Sequence, residues 1–173
     1  MYDIIIIGGG PAGLTAAIYA LRAEKSVLLL EKMGLGGQIA LSDKVENFPG
    51  IAQMSGIDFA TTLEGQVKSL GGEIKYETVS EIKNGRIKTV VTNAGEHTAK
   101  SVILATGVKN RLLGAHGEEN LIGRGVSFCA VCDGAFYKDV PVAVAGGGDS
   151  AMEEALFLTK FASEVLVIHR RSE

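Results

Sequence analysis

The sequence predicts an α/β protein made of parallel β-α-β units, one largely present and a second only begun. Three observations carry that expectation. Two short, mostly apolar runs each end in three consecutive glycines: Tyr2–Ile7 before Gly8-Gly9-Gly10, and Val140–Ala145 before Gly146-Gly147-Gly148. Each glycine cluster opens onto a stretch with apolar residues at helical spacing, and each such stretch leads to another apolar run. Continuous apolar runs suit parallel strands buried on both faces, and parallel neighbours need a crossover helix between them.

Taken in order, Tyr2–Ile7 is the first strand, Pro11–Glu24 the crossover helix and Val27–Leu30 the second strand, closed by Glu31. Met33–Phe48 reads as loop, with Gly34, Gly36 and Gly37. Ile57–Leu70 has a helical pattern ended by Gly71-Gly72. Residues 73–99 alternate apolar and polar around an Asn84-Gly85 turn, which predicts a small antiparallel meander or hairpin. Ser101–Ala105 is a further buried strand, ended by Thr106-Gly107, and the Gly-rich, polar stretch 108–127 reads as a domain junction. The pattern then restarts with strand Val140–Ala145, helix Ser150–Phe161 and strand Val165–Ile168, followed by His169-Arg170-Arg171. One β-α-β unit cannot bury both faces of its sheet, so this second domain reads as cut short. The expected domains are residues 1–112 and 113–173.

Composition narrows the function. The chain has 173 residues, 46% apolar and 21% charged, with a net charge of −3. That excludes an intrinsically disordered chain and argues against a nucleic-acid binder, since no basic excess is present to neutralise phosphates. Trp is absent and aromatics are 6%, which argues against base-stacking platforms. Two cysteines do not make a secreted disulfide scaffold. No signal-peptide pattern and no apolar stretch of ~20 residues is present, so a cytoplasmic, non-membrane protein is expected. Glycine is high, at 23 residues with only 3 prolines and no collagen period, so the glycines need local reasons.

Three motifs supply them. Gly8-Gly9-Gly10-Pro11-Ala12-Gly13 is a G-x-G-x-x-G between strand and helix, with Glu31 ending the next strand. Gly8 allows the tight turn, Gly10 admits a pyrophosphate to the backbone, Gly13 lets the helix pack closely, and a carboxylate such as Glu31 accepts from ribose hydroxyls. The alternative is a plain turn of an α/β sheet. Gly146-Gly147-Gly148-Asp149-Ser150-Ala151 is a G-x-G-x-x-A, and His169 stands at the offset from Gly146 that Glu31 has from Gly8. Here His169, Arg170 and Arg171 replace the acid; they attract a 2′-phosphate and so favour NADPH over NADH, the alternative being a solvated basic strand end. Cys129-Ala130-Val131-Cys132-Asp133 suits a redox dithiol, because this spacing closes a small ring. A zinc half-site lacking its other ligands and two unrelated thiols are the alternatives. Asp133 is a general acid or a helix-start cap.

Both fingerprints, Ala105-Thr106-Gly107 and Cys129-Ala130-Val131-Cys132-Asp133-Gly134 occur in one order along the chain, with Gly36-Gly37-Gln38, Val45–Gly50, Gly123-Arg124-Gly125-Val126 and His169-Arg170-Arg171. The combination resembles the low-molecular-weight thioredoxin reductases. The resemblance implies a flavoprotein disulfide reductase: a three-layer, Rossmann-like FAD-binding domain with a small antiparallel meander, then the start of a Rossmann-like NADPH-binding domain carrying the cysteines. FAD would lie on Gly8, Gly10, Pro11, Ala12 and Gly13, with Glu31 at the adenosine ribose and Lys32 next to it in sequence. Gly36, Gly37, Gln38 and Asn47 would be near the flavin end, and Val79, Ala105, Thr106 and Gly107 would complete the pocket. NADPH would use Gly146, Gly148, Asp149, Ser150, Ala151, His169, Arg170 and Arg171.

By the same resemblance, electrons would pass from NADPH through FAD to a Cys129–Cys132 disulfide and on to thioredoxin. Cys132 would face the flavin, Cys129 would attack the partner disulfide, and Asp133 would be the acid. The family is homodimeric, rotates its NADPH domain, and closes the FAD domain with a C-terminal segment not found in these 173 residues. The chain is therefore expected to be either a truncated piece or a nicked one whose remainder is a second chain, and to be inactive alone. Alternative readings are a related flavoprotein serving a peroxiredoxin or another dithiol partner, one drawing on another donor such as ferredoxin, or a non-catalytic FAD-binding fragment.

Overall fold

The computed structural model describes residues 1–170. The chain divides into two compact units, Met1–Lys109 and Asn110–Glu173. In the first unit the elements are β1 (Tyr2–Ile7), α1 (Pro11–Arg22), β2 (Val27–Glu31), a 3-10 turn (Gly37–Leu41), α2 (Gly56–Ser69), β3 (Glu73–Tyr76), β4 (Val79–Lys83), β5 (Lys88–Thr92) and β6 (Gly95–Leu104). Strand order is β3-β2-β1-β6-β5-β4.

The apolar runs of β1 and β2 are buried on both faces because successive side chains point to opposite sides of a strand. Ile6 and Leu29 face Leu14, Ala17 and Ile18 of α1 and Val67 of α2. Ile5, Ile7, Leu28 and Leu30 face the other way, against Val90 of β5 and Ala99 of β6. The unit is thus three layers: helices, parallel sheet and antiparallel meander. Ser55 starts α2, its Oγ accepting from the Asp58 N–H at 3.0 Å, as expected of a serine N-cap.

Two strands differ from the sequence expectation. Glu73–Tyr76 does not belong to the meander; it runs parallel to β2, with Leu28 opposite Glu73 and Glu31 opposite Tyr76. Ser101–Ala105 is not a separate buried strand. Up to Leu104 it is the second half of β6, whose first half pairs antiparallel with β5 up to Ala99 and whose second half pairs parallel with β1; Ala105 follows the strand. Ile103 and Leu104 remain exposed. Alternation reveals which residues share a face, but not which neighbour a strand pairs with or in which direction.

The second unit holds a 3-10 turn (Glu118–Leu121), α3 (Ala130–Asp133), another 3-10 turn (Gly134–Tyr137), β7 (Pro141–Ala145), α4 (Asp149–Leu158) and β8 (Glu164–Ile168). β7 and β8 pair in parallel, from Pro141–Glu164 to Ala145–Ile168. The apolar side chains of this two-stranded sheet are incompletely covered, with Leu166, Val167 and Ile168 all exposed. Glu118 is the buried acid of the unit. Its carboxylate accepts from the Leu113, Gly114 and Ala115 N–H groups at 2.9, 2.8 and 3.2 Å.

Those bonds, the Leu113 N–H first, hold the Glu118 carboxyl below the usual carboxylate range. A depressed folded-state value contributes stability above the unfolded value, about 4.3, and that contribution is lost as pH falls through the folded value. Glu118→Gln is therefore expected to speed exchange of the Leu113–Ala115 amides at pH 7, with the difference from wild type shrinking below about pH 4. A difference independent of pH would contradict this account.

Candidate functional site

In the first unit the C-terminal ends of β1, β2 and β6 meet at one edge. Gly8, at φ +109°, donates its N–H to Leu30 O at 2.8 Å. A Cβ on Gly8 would fall 2.2 Å from Ala105 O, and one on Gly13 would fall 1.9 Å from Gly8 O. The turn and the helix start are therefore in backbone contact, and only hydrogen fits at either position. Pro11 opens α1; its N-cap, Gly10, provides no side-chain cap. The first-turn N–H groups of α1 are thus left without a side-chain partner, at the positive end of the helix dipole. A Cβ on Gly10 would meet nothing closer than Gly36 O at 4.0 Å, so the backbone there is open to a ligand.

Glu31 stands beside that turn. Its Oε2 accepts from the Gly9 N–H at 2.7 Å and its Oε1 from the Met33 N–H at 3.0 Å. The carboxylate is oriented by backbone and keeps further lone pairs for hydroxyl donors. The loop after β2 folds back onto the turn: Gly36, at φ +101°, donates to Gly9 O at 2.8 Å. Gly37 is so close that a Cβ would sit 3.5 Å from Gly10 Cα. Gln38 donates from Nε2 to Val108 O at 2.5 Å, joining this loop to the exit of β6, where Ala105, Thr106 and Gly107 lie. The structure thus gathers Gly8–Gly13, Glu31, Gly36–Gln38 and Ala105–Gly107.

Three predicted residues stand differently. Lys32 and Asn47 are exposed, Asn47 on the loop closed by the Val45–Met54 bridge. Val79 packs its side chain against the Ile5, Ile7, Leu28 and Leu30 cluster, so a ligand role would fall to its main chain. Val108, as the acceptor for Gln38, had no signal in the sequence.

The second unit repeats the turn. Gly146, at φ +150°, donates to Ile168 O at 2.9 Å. Gly148 caps α4 without a side-chain bond, and a Cβ on it would meet nothing within 4 Å. Asp149, Ser150 and Ala151 form the first turn of α4. The His169 ring lies over the turn, since a Cβ on Gly147 would fall 2.3 Å from His169 Cδ2 and 2.5 Å from Nε2. Arg170 is exposed, and Arg171 lies outside the described residues. Both turns fit an anionic dinucleotide: open glycine backbone, an uncapped helix start, and an acid at one turn against an imidazole and a guanidinium at the other.

Cys129 and Cys132 are joined as a disulfide, S–S 2.08 Å and Cα–Cα 5.3 Å. Cys129 is half-buried and Cys132 exposed. Cys129 is the N-cap of α3, and its Sγ accepts from the Cys132 N–H at 3.2 Å. A donor aimed at Sγ stabilises negative charge there once the S–S bond opens. Asp133 closes α3 and makes no side-chain cap, so the cap reading is corrected. Instead its Oδ2 accepts from Ser127 Oγ at 2.5 Å. Ser127 also accepts from the Cys129 N–H at 3.1 Å, and was missed by the sequence reading. A serine two residues before Cys129 was the available signal, since serine hydroxyls bond the backbone two positions on.

Residues 2–173 match the family described as pyridine nucleotide-disulphide oxidoreductase. The chain belongs to that family. Curated relatives include thioredoxin reductases of Listeria monocytogenes, 46% identical over 100% of this chain and 54% of the relative, and of Bacillus subtilis, 45% identical over 100% and 55%. Among solved structures, the thioredoxin reductase of Streptococcus pyogenes matches with a TM-score of 0.95 at 48% identity, covering 100% of this chain and 57% of that one. The thioredoxin reductase from Giardia duodenalis matches at 0.91 and 39%, covering 99% and 57%. The chain thus spans about half the length of the curated relatives it matches. Within this oxidoreductase family, the glycine turns and the disulfide are the chain's own chemistry-bearing features. Among its described residues no helix is long and apolar enough to cross a membrane.

Proposed function

We propose that this chain is the nucleotide- and dithiol-bearing portion of an NADPH-dependent thioredoxin-disulfide reductase. The observation that carries the reading is a Cys129–Cys132 disulfide on a chain with two open glycine turns, each leading into an uncapped helix. The relatives named thioredoxin reductase support it. FAD and NADPH, when bound, supply the hydride and electron-pair chemistry. Gly8, Gly10, Pro11, Ala12 and Gly13 hold the FAD pyrophosphate and Glu31 its ribose. Gly36, Gly37, Gln38, Asn47, the Val79 main chain and Ala105–Gly107 shape the rest of that site. Gly146, Gly148 and Asp149–Ala151 hold the NADPH pyrophosphate, and His169, Arg170 and Arg171 hold the 2′-phosphate.

Cys129 attacks the thioredoxin disulfide, Cys132 resolves the mixed disulfide, and Asp133 moves the proton that the sulfurs gain and lose. Residues 1–112 form the FAD part and 113–173 the NADPH part. Homodimerisation, a cytoplasmic location and completion of the FAD site by further polypeptide, in the same or a second chain, belong to the same proposal.

The test follows cofactor oxidation by the full-length protein with oxidised thioredoxin. NADPH is expected to outperform NADH by about tenfold or more, the advantage of pairing the 2′-phosphate with charge-assisted donors, and His169→Ala with Arg170→Ala to erase most of that preference. Better turnover with NADH or reduced ferredoxin would reject the donor assignment. Reduction of a peroxiredoxin but not thioredoxin would reject the partner.

A further inference from the structure

We propose that Ser127 is a positioning residue of the dithiol site, acting through Asp133. The reaction class rests on the functional reading above; the geometry does not. The Ser127 hydroxyl stands at the centre of three hydrogen-bonding groups. Its Oγ lies 2.5 Å from Asp133 Oδ2 and 3.3 Å from Cys129 O, and accepts from the Cys129 N–H at 3.1 Å. A serine has one O–H proton and two lone pairs. That proton serves one of the two acceptors at a time. It points to Asp133 while the carboxylate is ionised, and is free to turn to Cys129 O when Asp133 carries a proton.

Around it the backbone is already tied: the Asp133 N–H donates to Cys129 O at 3.1 Å, and the Cys132 N–H donates to Cys129 Sγ at 3.2 Å. Ser127 therefore fixes the Asp133 carboxyl against the backbone of Cys129, whichever proton state the carboxyl is in. No other hydrogen bond to the Asp133 side chain is present among the described residues. Remove the hydroxyl and the carboxyl loses this fixed anchor to the cysteine ring.

The chemistry gives that anchor a task. Opening Sγ–Sγ takes two electrons and, to form two thiols, two protons. A hydride donor brings the electron pair and one proton; the second proton comes from the Asp133 carboxyl. With a dithiol reductant the thiolate of the reductant attacks one sulfur, the Sγ–Sγ bond breaks, the reductant closes to its own disulfide, and the two protons it gives up are those the protein sulfurs gain. In either case the leaving thiolate is protonated fastest by an acid held at fixed geometry.

The test is a double-mutant cycle in the full-length protein, using excess dithiothreitol as reductant at fixed pH; aliquots are acid-quenched, freed of reductant and alkylated, and the protein's own thiols are counted by mass against time. Asp133→Asn is expected to slow opening by about a hundredfold or more, the usual worth of a positioned acid. Ser127→Ala should slow it by about tenfold, the loss of one charge-assisted hydrogen bond. In the Asp133→Asn background, Ser127→Ala should add no further slowing, and Ser127→Thr, which keeps the hydroxyl at this exposed position, should stay close to wild type. Independent, multiplying effects would overturn the proposal by marking Ser127 as merely structural. So would a Ser127→Ala rate equal to wild type, or a threonine variant as slow as alanine. Coupling in this assay without any NADPH-to-thioredoxin turnover leaves the inference standing and rejects the functional reading instead.

Discussion

Gly13→Ala is expected to destabilise the first unit by roughly 1–2 kcal/mol, read as a fall in the urea midpoint. Two effects oppose one another. Gly13 lies in the first turn of α1, where alanine gains up to about 1 kcal/mol of helix propensity over glycine. Against that, the added Cβ would sit 1.9 Å from Gly8 O and 3.1 Å from Gly8 C, both backbone atoms, and 3.4 Å from the Ala105 Cβ. Backbone cannot rotate away as a side chain can, so α1 must lift off β1. Doing so loosens Leu14, Ala17 and Ile18 from Ile6 and Leu29, and overpacking of this kind costs about 1–3 kcal/mol, occasionally more. The clash wins over propensity. Gly65 supplies the control: it is exposed in α2, and a Cβ there meets nothing within 4 Å. Gly65→Ala should stabilise by about 0.5–1 kcal/mol. If both variants shift the midpoint alike, the close packing at Gly13 is not the cause.

Cys129→Ser is expected to cut thioredoxin reduction by the full-length protein at least about a thousandfold, because the attacking nucleophile is gone. Unfolding is not a sufficient explanation for such a loss. The disulfide closes only four residues, and a loop that short constrains the unfolded chain by about 2 kcal/mol in the chain-entropy view. Circular dichroism of the variant should therefore match wild type. Cys132→Ser should lose turnover to the same degree yet keep the Cys129 thiol, and so accumulate a mixed disulfide with thioredoxin that Cys129→Ser cannot form. Trapping by the Cys129→Ser variant and not by Cys132→Ser would reverse the two roles.

Much of the architecture was legible because it rests on local pattern. Ile5–Ile7 and Leu28–Leu30 are apolar without interruption, which only a strand buried on both faces requires. Gly8, Gly10 and Gly13 appear at spacings that a strand-turn-helix joint imposes, and each is explained by a backbone approach or an open backbone in the structure. The matching offsets of Glu31 and His169 likewise follow from the fixed length of a β-α-β unit, and both side chains come to rest beside their glycine turns.

What the pattern could not carry was long-range pairing and small polar geometry. The alternation of residues 73–99 is the same whether a strand pairs parallel or antiparallel, so β3 was assigned to the wrong sheet partner, and the junction within β6 at Ala99 was invisible. Nor does a sequence show that Gln38 reaches Val108 O, or that Glu118 turns its carboxylate onto three backbone N–H groups.

The residue types and spacings alone determined the layered α/β class, the two glycine turns and the cysteine pair, since each is dictated by backbone sterics over a few residues or by a helical or strand period. Only the tertiary structure decided that Ser127, rather than a helix cap, holds Asp133, and which loop ends converge on the first turn. Those outcomes depend on where separate segments lie once the core has closed, and hydrogen bonds of a few ångströms between them leave no periodic trace along the chain.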